Sequence, residues 1–258
     1  EITSFVNPRW IPALADADRV AAGLSGHPGY AERFTALCPN MLGLDRVAHT
    51  ELREVAVFKS ASESHNLRNI NKSRDETYPR FEPVFQACAD RGIRVRAYVS
   101  VVWGCPYEGE VDPAEAVDVA ARLLAMGAYE VSLGDTIGVG TPLQTRRIID
   151  AMAAKIPLEK LAMHMHDTRG TALANCLVGL EHGITTFDAS VAGLGGCPYA
   201  PGASGNLATE DLVYMLNAMG VDTGVDLEKL VAAGALAQEL LGRTLPGRAL
   251  QALAAANH

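Results

Sequence analysis

The chain has 258 residues, 48% of them hydrophobic, and a net charge of −8 at neutral pH. The acidic balance excludes a nucleic-acid surface, which needs a concentrated basic face. No apolar stretch approaches the ~18 uninterrupted residues of a membrane span, and the opening Glu1-Ile-Thr-Ser-Phe5 shows no secretory signal.

Short apolar runs alternate with amphipathic stretches along the whole chain. Strands are predicted over residues 1–5, 34–37 and 55–58, followed by a helix over 74–90 that Pro79 and Pro83 should kink or interrupt. After a strand at 95–99 comes the clearest helix, 113–126. Asp112 is its N-cap, Pro113 its first residue and Gly127 its stop, with Val117, Ala120, Ala121 and Leu124 at helical spacing. Strands at 130–133 and 161–166 lead to a helix at 171–182 that ends before Gly183, then to a strand at 186–190. Thr209 is the expected cap of a helix through Met219, with Glu210 and Asp211 in its first turn. The Ala- and Leu-rich residues 227–258 should form outer helices.

Strand–helix alternation without a linker implies one domain over 1–258 with a parallel sheet, an α/β fold of the TIM (β/α)8 barrel type. The prediction has seven strands where a barrel closes with eight. The chain also opens inside a strand, so the first β/α unit is expected to be absent from it; a closed barrel needs that unit, since without it two sheet edges lie open. The five cysteines, an odd count without a C-x-x-C pair, argue for reduced thiols in a cytoplasmic-type compartment and against structural zinc. Cys88 and Cys176 read as small core hydrophobes.

In such barrels the site lies at the C-terminal strand ends. Glu1, Ser4, Asn40, Lys59, Ser100, Asp135, Thr136, His164, His166, Asp167, Asp188 and Ser190 gather there. His164 and His166 are two residues apart, on one side of a strand, and two imidazoles on one side make half of a divalent-metal site. The alternative is a pair of hydrogen-bonded core histidines. Asp167 should point to the other side, and Asn206 is a candidate oxygen ligand. Imidazole, amide and carboxylate suit Mg²⁺ or Mn²⁺ better than zinc. Cys197 lies between glycines and Pro-Gly-Ala-Ser-Gly, which reads as an exposed, mobile loop with an accessible thiol, against the alternative of another buried cysteine. Gly104-Cys-Pro-Tyr107 repeats part of that loop. Gly134 to Gly140 lacks the lysine of a phosphate loop, which argues against a nucleotide. Lys59, Arg68, Lys72 and Arg74 form either an anion-binding cluster or an ordinary solvated face.

Several stretches carry a family likeness: Thr3-Ser-Phe-Val6, Gly104-Cys-Pro-Tyr-Glu-Gly109, Ser132-Leu-Gly-Asp-Thr-Ile-Gly-Val-Gly-Thr-Pro142, His164-Met-His-Asp-Thr168 and the run from Val191 through Met215. Through them the chain resembles the 3-hydroxy-3-methylglutaryl-CoA lyases, within the metal-dependent lyase and aldolase-like group of TIM barrels. The resemblance implies His164, His166 and Asn206 as ligands of Mg²⁺ or Mn²⁺. It implies Cys197 as the catalytic thiol, His164 as its partner and Glu1 as a catalytic acidic residue. Asp135, with Thr136 beside it, would lie near the substrate. It also implies an acyl-CoA substrate and a homodimer, in bacterial cytoplasm or the mitochondrial matrix.

One departure stands out. The family's Arg-Asp pair, in an Asp-Gly-Leu-Gln context at the end of the first strand, has no match here, and the strand count leaves its gap at the same place. Pro79, Pro83 and Lys59 also depart from the pattern. Three alternatives share the residues: a lyase for a longer analogue such as the isohexenyl one, a synthase joining acyl-CoA and keto acid, and a non-catalytic metal- or acyl-CoA-binding barrel.

Overall fold

In the computed structural model, which describes residues 1–195 and 205–255, all seven expected strands form. They are β1 (Thr3–Ser4), β2 (Ala36–Leu37), β3 (Glu54–Ser60), β4 (Arg94–Ser100), β5 (Glu130–Asp135), β6 (Leu161–Met165) and β7 (Thr186–Asp188). Every pair is parallel and joins consecutive strands, so the sheet runs β1 to β7 in chain order. This is the order of a (β/α) barrel, and among the described residues it contains seven strands. Parallel pairing needs a crossover between each two strands, which the amphipathic segments supply. The helices are α1 (Ala17–Leu24), α2 (Tyr30–Arg33), α3 (Met41–Val47), α4 (Glu63–Ile70), α5 (Arg74–Asp90), α6 (Pro113–Ala125), α7 (Pro142–Ala153), α8 (Ala172–His182), α9 (Thr209–Ala218), α10 (Leu227–Leu241) and α11 (Arg248–Ala255). None is long and apolar enough to cross a membrane.

Helix ends follow their local chemistry. The Asp112 carboxylate accepts from the Ala114 N–H, with Pro113 first in α6. Thr141 and Gln144 form a reciprocal capping box on α7. Two expectations fail. Ala208, not Thr209, occupies the cap position of α9, and no side chain caps that end. Pro79 and Pro83 do not break α5, which runs unbroken over 17 residues. Both prolines lie on its exposed side, while Tyr78, Phe81, Val84, Phe85 and Cys88 face the core. The carbonyls that lose partners, four residues before each proline, belong to Asp75 and Pro79, themselves exposed and open to water. Cys38, Cys88, Cys105 and Cys176 are free and buried, Cys88 and Cys176 as expected.

Candidate active site

Strand alternation decides which side chains enter the barrel. On β4 these are Arg96, Tyr98 and Ser100; on β5, Glu130 and Ser132; on β6, His164; on β7, Asp188. At the C-terminal strand ends an open cavity of about 550 Å³ is lined by Glu1, Tyr98, Ser100, Thr136, His164, His166, Asp188, Ser190 and Asn206, with Leu37, Phe58 and Phe187 adding apolar wall. The site therefore lies at the barrel mouth, and Glu1, Thr136, His164, His166 and Asn206 come together there.

The two histidines reach it differently. His164 stands within β6, in register with Asp188 of β7. His166 lies just past β6 and forms an isolated antiparallel bridge with Asn206. Backbone at Gly195 and Gly205 closes around that asparagine, both at φ near +108° to +109°. A Cβ at Gly195 would strike the Asn206 amide. Only glycine fits such an approach at that φ.

The donor set fits a divalent cation. Asn206 Nδ2 donates to the Leu194 carbonyl at 2.9 Å, which turns Oδ1 toward His164 Nε2 at 3.0 Å. His164 Nδ1 faces Asp188 Oδ2 at 3.3 Å. Both ring nitrogens thus look at acceptor oxygens, and a neutral imidazole has one proton to offer. A divalent cation held by Nε2 and Oδ1 would resolve the conflict, because both atoms could then offer it lone pairs. His166 Nδ1 is buried without a hydrogen-bond partner among the described residues. Burial, then His164, pushes the His166 ring down to about 4, which keeps it neutral and able to ligate. Among the described residues no three His, Cys, Asp or Glu side chains group as a metal cluster, so these donors are two imidazoles and an amide.

Glu1 completes the rim. The residue is exposed as a whole, yet its carboxyl faces inward, where burial pushes its pKa up against the pull of His164 and Arg96. Asp188 goes the other way: burial opposes its charge, but His164, Arg96 and Ser132 hold its carboxyl below the usual range.

Other expected site residues serve the frame. Asp135 is fully buried behind the pocket, its oxygens accepting from the Val139 and Gly140 N–H groups at 2.9 and 2.8 Å. It builds the loop that carries Thr136, whose hydroxyl accepts from Val101 N–H at 2.8 Å. Asn40 caps α3. Asp167 turns away from the pocket as expected, accepting from the Ala172 N–H at the start of α8 and pairing with Arg248 at 2.8 Å. Lys59 does not reach the mouth. It points outward from β3, fully buried, with its amine on the Arg74 carbonyl and over the Tyr78 ring. The basic cluster is dispersed in the same way: Arg74 is tied to Glu115 and Glu63, and Lys72 lies 3.8 Å from Glu76. Exposed Arg68 stacks over Tyr107. Cys197 lies outside the described residues.

The interior below the pocket was not anticipated. Arg96 bonds Glu130 at 2.6 Å and Asp188 at 2.9 Å, and its Nη1 reaches the Tyr98 hydroxyl at 3.0 Å. The signal was available, since a charged residue in mid-strand at the spacing of Tyr98 and Ser100 shares their face.

A model of the family described as HMGL-like matches residues 10–237. The 3-hydroxy-3-isohexenylglutaryl-CoA/hydroxymethylglutaryl-CoA lyase of Pseudomonas aeruginosa is 50% identical over 99% of this chain and 84% of its own length. The mitochondrial hydroxymethylglutaryl-CoA lyase of Rattus norvegicus is 49% identical over 98% of this chain and 77% of its own. The crystal structure of the hydroxymethylglutaryl-CoA lyase from Pseudomonas aeruginosa superposes with a TM-score of 0.95 at 50% identity, covering 99% of this chain and 85% of that one. An HMG-CoA lyase from Acinetobacter baumannii, solved with coenzyme A and 3-methylmalate, gives 0.90 at 35% identity, covering 97% and 81%.

Proposed function

The chain belongs to the HMGL-like family, and we propose that it cleaves 3-hydroxy-3-methylglutaryl-CoA to acetyl-CoA and acetoacetate with Mg²⁺ or Mn²⁺ held by His164, His166 and Asn206. The observation that carries this reading is the convergence of His164 Nε2 and Asn206 Oδ1, 3.0 Å apart, beside the buried and unpartnered His166 Nδ1. The acyl-CoA class of substrate is supported by the relatives' names and by the coenzyme A bound to the Acinetobacter baumannii protein.

When bound, the cation supplies Lewis acidity that makes a tertiary hydroxyl easier to deprotonate. The remaining work falls to side chains. Glu1 and Asp188 are the carboxylates among the described residues lining the pocket. Asp188 is committed to Arg96, Ser132 and His164, so Glu1 is the group proposed to take the hydroxyl proton. As that proton leaves, C3 becomes the ketone carbon of acetoacetate. The C2–C3 bond breaks and its electron pair departs as the thioester enolate. Cys197 is proposed to return a proton to C2, which yields acetyl-CoA. Asp135 acts through the loop that presents Thr136. Residence in the cytoplasm and assembly as a homodimer belong to the same proposal.

The test is acetoacetate release from 3-hydroxy-3-methylglutaryl-CoA with Mg²⁺ and with a chelator. Release that the chelator abolishes supports the reading. Mn²⁺ binding without turnover refutes it in favour of a binding barrel. Faster turnover of the isohexenyl analogue would move the substrate to the longer chain, which the apolar wall of Leu37, Phe58 and Phe187 is suited to receive. Condensation of acetyl-CoA with a keto acid would make the protein a synthase.

A further inference from the structure

Two cross-strand pairs organise the barrel interior. Arg96 of β4 is in register with Glu130 of β5, and His164 of β6 with Asp188 of β7. The Arg96 guanidinium crosses the interior to join them, with Nε on Glu130 at 2.6 Å and Nη1 on Asp188 Oδ1 at 2.9 Å. Ser132 Oγ donates to Asp188 Oδ2 at 2.7 Å, the same oxygen that faces His164 Nδ1 at 3.3 Å. Arg96, Glu130 and Ser132 are buried, so no solvent competes for these bonds.

The donor inventory sets the direction of each bond. Arg96 only donates, and the Ser132 hydroxyl donates as well, so Asp188 is an acceptor on every side. It therefore calls for a proton on His164 Nδ1. A neutral ring protonated there carries its lone pair on Nε2, the atom turned toward Asn206 Oδ1. We propose that Asp188 is a positioning residue that fixes the Nδ1–H tautomer of His164 and so presents Nε2 as a ligand. Arg96 and Ser132 share the carboxylate's charge.

The inference rests on the proposed metal role of His164 for one readout only. Asp188→Asn in the full chain is the main variant. Arg96 would keep the amide oxygen and leave the amide N–H groups facing Nδ1. Nδ1 must then accept, and the ring proton moves to Nε2, the error that an Asp-to-Asn change imposes on a catalytic histidine elsewhere. Ring ¹⁵N shifts of His164 in metal-free protein read the tautomer directly. Electron paramagnetic resonance titration with Mn²⁺ reads the affinity.

The expected result is Nδ1–H in the wild type, Nε2–H in the variant, and a roughly 10–100-fold loss of Mn²⁺ affinity. The same tautomer in both proteins, or a changed tautomer with unchanged Mn²⁺ affinity, overturns the proposal. A wild type that binds no Mn²⁺ defeats the metal reading, while the ¹⁵N comparison still decides the role of Asp188. Should Asp188→Asn fail to fold, Ser132→Ala removes one prop of the same carboxylate. A several-fold weaker Mn²⁺ affinity is then expected, and an unchanged one counts against Asp188.

Discussion

Arg96 and Lys59 are both buried cations, on neighbouring strands but opposite faces of the sheet. Arg96 points inward and meets two carboxylates. Burial works against its charge, yet Asp188, Tyr98 and Glu130 outweigh it and raise its pKa further. Lys59 points outward beneath α5 and meets a backbone carbonyl and the face of Tyr78, 4.0 Å from the ring centroid. Arg122 lies 3.7 Å from the centroid of the same ring. Burial, then Arg74 and Arg122, pushes Lys59 down to about 7. One buried charge is compensated and its hydrogen bonds orient a pocket; the other is tolerated. Burial alone therefore does not mark a charge as functional. The direction of its partners does.

The sharpest way to break this contrast is to remove the chemistry that the inner face is proposed to serve. Cys197→Ala should lower kcat by about 10²–10⁴-fold with Mn²⁺ affinity unchanged. His166→Ala should lower both kcat and Mn²⁺ affinity, each by about 100-fold or more. Steady-state kinetics with isothermal titration separate the two, and near-wild-type turnover in either variant would remove the corresponding role. Next in size is Arg96→Met, which strands Glu130 and Asp188 without their shared cation. A loss of about 3–5 kcal/mol in urea unfolding is expected, since breaking a buried pair leaves an uncompensated charge. A loss below ~1 kcal/mol would show that water reaches the Arg96 pairs and that the contrast is false.

How much of this was legible beforehand depended on whether a residue's surroundings were local. The seven strands followed from short apolar runs, and the His164–His166 pair followed from the two-residue period that puts both on one side. The α6 stop and start signals were correct because a cap needs only its own turn. Lys59 was misplaced because the strand end alone was considered; Phe58 lines the pocket, and the pleat sends its neighbour to the opposite face. Asp135 was misjudged for a related reason. Glu130 and Ser132 face inward, so the pleat turns Asp135 outward, where the Val139 and Gly140 N–H groups consume its carboxylate. The prolines of α5 were read by propensity alone, and their exposure, which tertiary packing decides, is what makes them tolerable.

The outer cation supplies the smallest and most discriminating experiment. Burial and the neighbouring arginines push the Lys59 amine down from its ordinary 10.5 to about 7. Below about pH 7 both folded and unfolded chains carry the proton, and the fold bears the full cost of a buried ammonium. Between 7 and 10.5 the unfolded chain binds a proton that the folded one does not, so this residue's contribution to stability rises with pH through that window. Methionine in its place keeps the length of the stem and removes the charge. Lys59→Met should therefore be more stable than wild type by about 1–4 kcal/mol near pH 6. The gap should narrow as pH rises toward 10, where the wild-type amine is neutral. Urea unfolding of both proteins at pH 6, 8 and 10 measures it. Parallel pH profiles would mean that the Arg74 carbonyl and the Tyr78 ring hold a charged lysine as well as carboxylates hold Arg96, and the distinction between the two faces would then fail.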